Sequence, residues 1–222
     1  GGLEVIVVDD GSGDGTATAA RTAGADRVIA LPVNRGKGAA VRAGMLAAHG
    51  ATVAFTDADL SYAPVQIAGL LEAVEDGWDA VVGNRYDDRS TTLVAAGALR
   101  QVGGRAVNLA TRSVLVGSHP DTQCGLKAFR LDVAQVLFGH SRIDGFAFDV
   151  EVIHLVERYG LGLLAVPVEV TNSESSTVHV ARDALHLLGD LARIRRQGSL
   201  GHYDLDDAER RTLFAGPLPV GE

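Results

Sequence analysis

The chain has 222 residues, 46% of them hydrophobic, enough for one substantial core but too few for two large independent domains. Against 28 acidic side chains stand 20 lysines and arginines, and the formal net charge of -8 disfavours nonspecific nucleic-acid binding. Cys124 is the only cysteine, which excludes an internal disulfide and a cysteine-based zinc site and fits a reducing cytoplasm.

Strand-like runs at about residues 3–8, 27–31, 52–56, 79–83 and 163–170 alternate with helical patterns at about 15–24, 36–49, 64–77, 97–116, 148–160 and 178–197. Alternation of this kind predicts an α/β fold with a mostly parallel central sheet and helices on both faces. No run reaches the roughly 18 apolar residues that span a bilayer, and Gly1-Gly2-Leu3-Glu4 lacks the regions of a signal peptide. The expectation is a cytoplasmic protein whose membrane contact, if any, is peripheral or lies outside this chain.

The first run, Leu3-Glu4-Val5-Ile6-Val7-Val8, suits a central strand covered on both sides, although periodicity alone leaves a buried helix open. It leads into Asp9-Asp10-Gly11-Ser12-Gly13-Asp14-Gly15-Thr16. Thr16 replaces the third glycine of a dinucleotide fingerprint, and two aspartates there would repel a pyrophosphate. Asp9 and Asp10 instead suit hydrogen bonds from a nucleobase or ribose, with Ser12, Asp14 or Thr16 capping the next helix. An acidic turn that only caps that helix is the plain alternative.

Asn34-Arg35-Gly36-Lys37-Gly38-Ala39-Ala40 opens the second helical pattern, its glycines allowing close backbone approach and Lys37 able to offset phosphate or carboxylate charge. It lacks the full P-loop pattern, and a tight turn with a solvated lysine is the ordinary reading. The next strand, Ala51-Thr52-Val53-Ala54-Phe55-Thr56, ends in Asp57-Ala58-Asp59. On an extended backbone residues i and i+2 face one side, so both carboxylates can reach one divalent cation. Two acidic strand ends in one parallel sheet would open onto the same crevice.

Pro64 and Gly77 mark the start and end of the third helix. Thr122-Gln123-Cys124-Gly125 fits either an acceptor-side segment, with Gln123 and Lys127 lining it, or a strand whose glycine permits a close crossing. Cys124 reads as a small buried hydrophobe, and His119, His140, His154, His179 and His186 lack metal-ligand spacing. The last long helix ends in Arg193, Arg195 and Arg196, favourable at a helix C-terminus without any ligand, though a basic amphipathic helix could also rest on an anionic membrane. From about Gly198 the glycines and prolines predict a loose surface tail over residues 198–222.

Taken in order, Val7-Val8-Asp9-Asp10-Gly11-Ser12 with Asp14-Gly15-Thr16, Asn34-Arg35-Gly36-Lys37-Gly38 and Asp57-Ala58-Asp59-Leu60 resemble the family 2 glycosyltransferases of the GT-A fold. Asp121-Thr122-Gln123-Cys124-Gly125-Leu126-Lys127-Ala128-Phe129 and Phe148-Asp149-Val150-Glu151 look like its polyprenyl-phosphate sugar synthase branch, with wording on the dolichyl-phosphate β-glucosyltransferase side. The resemblance covers about residues 3 to 197. It implies transfer of glucose or mannose from UDP-glucose or GDP-mannose to a polyprenyl phosphate, with Mg2+ or Mn2+ as cofactor.

By motif, Asp9, Asp10, Ser12 and Lys37 would serve the donor, and Asp57 and Asp59 the metal-diphosphate. Arg85 would face anionic groups near the acceptor, with Arg105 a second candidate. The family also begins with another strand, for which residues 1 and 2 leave no room, so a domain over residues 1–197 lacking its first strand is expected. Ser61 stands where many relatives carry a longer polar residue that can assist the metal.

A phosphate monoester is already anionic near pH 7, its second pKa being about 6, so little is asked of a base. Asp149 is the carboxylate available if a base is needed, while capping a helix start is an equal role for it. A saccharide acceptor and a noncatalytic nucleotide-binding domain are the alternative functions.

Overall fold

The computed structural model describes residues 2–94, 111, 121–171 and 180–214. In chain order the strands are β1 (Ile6–Asp9), β2 (Arg27–Ala30), β3 (Thr52–Thr56), β4 (Ala80–Asn84), β5 (Thr91–Val94), β6 (Leu126–Arg130), β7 (Leu163–Pro167) and β8 (Glu169–Thr171). The helices are α1 (Thr16–Thr22), α2 (Lys37–Ala47), α3 (Gln66–Glu75), α4 (Leu131–His140), α5 (Phe148–Arg158), α6 (Val180–Ser199) and α7 (Asp207–Phe214). Strands β3, β6, β4 and β7 form a four-stranded sheet in that spatial order, with β6 antiparallel to both neighbours and β4 parallel to β7. Two parallel pairs, β1-β2 and β5-β8, stand beside it.

Side-chain alternation explains the layering. Leu126 and Ala128 of β6 and Val81 of β4 pack with Leu70 and Val74 of α3, while Phe129, Ala80 and Val82 point to the opposite face and pack with α4 and α5. The sheet is therefore covered on both sides, as the α/β reading expected, but it is mixed and not mostly parallel, two of its three pairings being antiparallel. On the second face Phe129 meets Phe138 edge to face at 5.7 Å, and Phe55 of β3 lies 5.9 Å from Phe148, the first residue of α5. That aromatic cluster sets the start of α5 beside the end of β3.

Three expectations need correction. The central, fully covered strand is β4, buried at all five positions; among the described residues β1 pairs with β2 alone, and Ile6, Val7 and Val8 are half-buried. An apolar run reports hydrophobicity, not depth in the sheet. The single strand expected over 163–170 is two, because the chain turns at Pro167-Val168, where the Val168 N–H bonds Ser90 Oγ at 2.9 Å instead of a ladder partner. Residues 200–214, expected to lie loosely, are docked: Tyr203 and Leu213 are buried, Arg130 Nη2 donates to the Leu213 carbonyl at 3.1 Å and His140 Nε2 lies 2.9 Å from Glu209. The helix expected over 97–116, and Arg105 with it, lies outside the described residues apart from position 111. His119, His179 and residues 215–222 also lie outside them.

Candidate active site

The site is built where β3 ends against the start of α2. Asp57 follows the last β3 residue, and its main-chain oxygen accepts from the Leu60 N–H at 3.3 Å. Leu60 takes a left-handed backbone with φ 54°, and Asp59 Oδ1 accepts from the Ser61 N–H at 2.9 Å. A left-handed leucine is strained, and the turn it closes leaves Asp59 exposed. Asp57 is seated deeper. A Cβ on Gly125 would lie 2.1 Å from Asp57 Oδ2, so only glycine there leaves room for this carboxylate.

Lys37, the first residue of α2, reaches Asp57 Oδ1 at 2.7 Å and lies 4.0 Å from Asp149 Oδ2. Asp149 bonds in turn to Lys127, whose Nζ also donates to the Cys124 carbonyl at 2.6 Å. The charges therefore alternate along a row, Asp57, Lys37, Asp149, Lys127. Phe148 lies under the Lys37 ammonium at 5.8 Å and Phe55 under that of Lys127 at 5.5 Å. Burial alone would lower the Lys37 pKa, but the charges of Asp149, Asp57 and Asp59 outweigh it and raise it.

Two turns hold Lys37 in place. Asp10 accepts from the N–H groups of Arg35 at 2.8 Å and Gly36 at 2.7 Å, and Asp9 from the Ser12 N–H at 2.9 Å. Both aspartates thus fold the site's own loops together, and Asp9 is itself buried. The helix after them starts at an uncapped Gly15; Asp14 binds the N–H and hydroxyl of Thr16 instead. From the other side the 141–145 segment clasps the start of α2. Asp144 pairs with Arg35 at 3.0 Å and Arg42 at 2.7 Å, and its main-chain oxygen accepts from the Ala39 N–H at 3.1 Å. A Cβ on Gly38 would fall 2.5 Å from the Ile143 oxygen, so the glycine permits this contact.

That segment has its own anchor. Glu151, fully buried, accepts from the N–H groups of Arg142 at 2.8 Å and Ile143 at 2.9 Å and from the Tyr203 hydroxyl. Burial pushes its carboxyl upward in pKa, against the pull of those hydrogen bonds. Asp144, Arg42 and Glu151 were not anticipated as site-shaping residues. Only the Phe-Asp-Val-Glu wording hinted at the last.

Arg85, just past β4, donates Nε to Asp121 Oδ2 at 2.7 Å and Nη2 to Oδ1 at 2.8 Å. Burial alone would raise the Asp121 carboxyl, but Arg85 outweighs it and holds the group below the usual carboxylate range. Gln123 is half-buried, with its N–H 3.2 Å from Asp121 Oδ1. Lys127 corrects a sequence expectation: it is wholly buried and supports Asp149 rather than lining an acceptor channel. Burial raises the Cys124 thiol, which fits packing rather than nucleophilic work.

Among the described residues no three His, Cys, Asp or Glu side chains gather where they could hold a metal ion. Asp57 and Asp59 offer two carboxylates at most. That set fits Mg2+ or Mn2+ completing its shell with substrate phosphates and water, and does not fit an all-protein cage. Among the described residues no helix is long and apolar enough to cross a membrane.

Residues 1–138 match the family model "Glycosyl transferase family 2". The dolichyl-phosphate beta-glucosyltransferase of Drosophila melanogaster is 35% identical over 185 residues, covering 78% of this chain and 57% of that protein. The Homo sapiens protein of the same name is 28% identical over 93% of this chain and 68% of its own length. Against the former, the chain thus spans under two thirds of the relative's length. Among solved structures, Mycobacterium tuberculosis glucosyl-3-phosphoglycerate synthase superposes with TM-score 0.63 at 22% identity, covering 85% of this chain and 68% of that one. Another structure of that enzyme, in complex with Mn2+ and uridine-diphosphate-glucose, gives TM-score 0.56. Three motifs bonded together on this α/β scaffold and a family match over more than half its length place the chain in glycosyl transferase family 2, with the GT-A fold.

Proposed function

We propose that this chain transfers a hexose, glucose or mannose, from UDP-glucose or GDP-mannose to a polyprenyl phosphate, with inversion at the anomeric carbon. The observation that carries the reading is the row Asp57, Lys37, Asp149, Lys127 at the end of β3, with exposed Asp59 beside it. Such a place suits a diphosphate and a divalent cation together. When bound, Mg2+ or Mn2+ would neutralise charge developing on the departing nucleoside diphosphate. Asp57 and Asp59 would hold that cation, and Lys37 would face the diphosphate.

On the acceptor side Asp121 occupies two N–H groups of Arg85 and fixes the guanidinium plane, and the remaining donors would align the attacking phosphate. An anionic acceptor also fits what Asp149 lacks. Its oxygens face Lys127 and Lys37 and the residue is almost fully buried, so it is not presented to a substrate hydroxyl as a base. This favours a phosphate over a saccharide acceptor. The names of the sequence relatives support the same choice.

Competition between acceptors tests the reading. With labelled donor, a polyprenyl phosphate should be glycosylated and simple saccharides should not. Glycosylation of a saccharide alone, abolished by Asp149→Asn, would replace the proposal with the saccharide alternative.

A further inference from the structure

We infer that Lys37 is a resident counter-ion that keeps divalent cations away from Asp57 until a nucleotide diphosphate draws its ammonium aside. The inference rests on the donor-site reading above and adds an order of events to it. Three observations support it. Lys37 Nζ lies 2.7 Å from Asp57 Oδ1, while the other Asp57 oxygen packs so closely on Gly125 that a Cβ there would lie 2.1 Å from it, so a cation approaching Asp57 meets one oxygen already paired and the other backed by main chain.

The second is charge. Asp57, Asp59 and Asp149 carry three negative charges and Lys37 and Lys127 two positive ones, which leaves the cluster one negative charge. A divalent cation alone would overshoot to one positive charge with an ammonium crowding the same carboxylate, a repulsion that partial burial strengthens. A diphosphate entering with the cation brings the compensating charge.

The third is freedom to move. Lys127 has 0% side-chain exposure and is locked between Asp149 and the Cys124 carbonyl, whereas Lys37 retains 22% and sits on a flexible stem at the start of α2. Of the two lysines, only Lys37 can swing from carboxylate to phosphate. Metal and diphosphate would therefore bind with positive coupling, each raising the affinity for the other by the same factor.

The experiment is Mn2+ titration followed by the electron paramagnetic resonance signal of free Mn2+, with and without UDP, on the wild type, Lys37→Met and Lys37→Arg. In the wild type UDP should tighten Mn2+ binding by about tenfold or more, within the usual range of coupling between sites. Lys37→Met should bind Mn2+ alone about tenfold more tightly than the wild type and lose most of the gain from UDP. Lys37→Arg, which keeps the charge, should behave as the wild type. Unchanged or weaker Mn2+ binding by folded Lys37→Met without UDP would overturn the role of Lys37, whatever the donor does. Failure of the wild type to bind UDP, with tighter Mn2+ binding by Lys37→Met intact, would overturn the donor reading and leave the counter-ion role standing.

Discussion

At the scale of single residues, the Arg85–Asp121 pair and the Gly125–Asp57 contact make separable demands. Asp121→Asn leaves a largely enclosed guanidinium without its partner, and because Arg85 keeps some solvent contact the loss should be about 2–3 kcal/mol in urea unfolding at pH 7. The sign with pH follows from a carboxyl held lower in the folded state than in the unfolded chain. Its contribution is present above about pH 4 and disappears as pH falls through the lowered folded value, so wild type and variant should converge in strong acid. Gly125→Ala acts differently. The added methyl meets the mobile end of a side chain, so stability should stay within about 1 kcal/mol, yet Asp57 must leave its seat and UDP-Mn2+ affinity should fall in calorimetric titration. These roles were only partly legible in the sequence. The motifs supplied the right charges, but whether Arg85 or Lys127 meets a ligand or a neighbouring carboxylate depends on long-range packing, with Asp149 lying 22 residues from Lys127 along the chain.

At the scale of elements, α2 is the sharpest case. Alanine is the better helix former by about 1 kcal/mol, so propensity alone says that Gly38→Ala should stabilise. The structure says the reverse. A Cβ at position 38 would sit 2.5 Å from the Ile143 carbonyl oxygen and 2.6 Å from Phe148 Cβ, and main chain cannot yield cheaply, so a loss of about 1–3 kcal/mol in thermal unfolding is expected. Elements with clear punctuation were legible: α3 follows Pro64 and ends before Gly77, whose φ of 112° suits glycine. Strand β6 and helix α4 were missed because no glycine or proline separates them. No turn residue marks the switch at Arg130, which rests on a long-range bond from Arg130 to Asp79 and a local one to Asp132, at 2.6 Å each.

At the scale of the whole molecule, the segment after α6 reaches the candidate active site through Tyr203, Glu151 and the 141–145 turn. Tyr203→Phe removes one hydrogen bond to a buried carboxylate and should cost about 1–3 kcal/mol in denaturant unfolding. The glycines and prolines near the chain's end did not foretell this docking, because composition does not report one buried tyrosine. The central claim is transfer of a hexose to a lipid phosphate at the end of β3. Its most direct test is incubation of wild type and Asp59→Ala with labelled UDP-glucose or GDP-mannose, a polyprenyl phosphate and Mn2+. The account predicts labelled lipid from one donor in the wild type, lost on chelation of the metal and in Asp59→Ala; a wild type that binds the donor with Mn2+ and leaves the lipid phosphate unlabelled would contradict it.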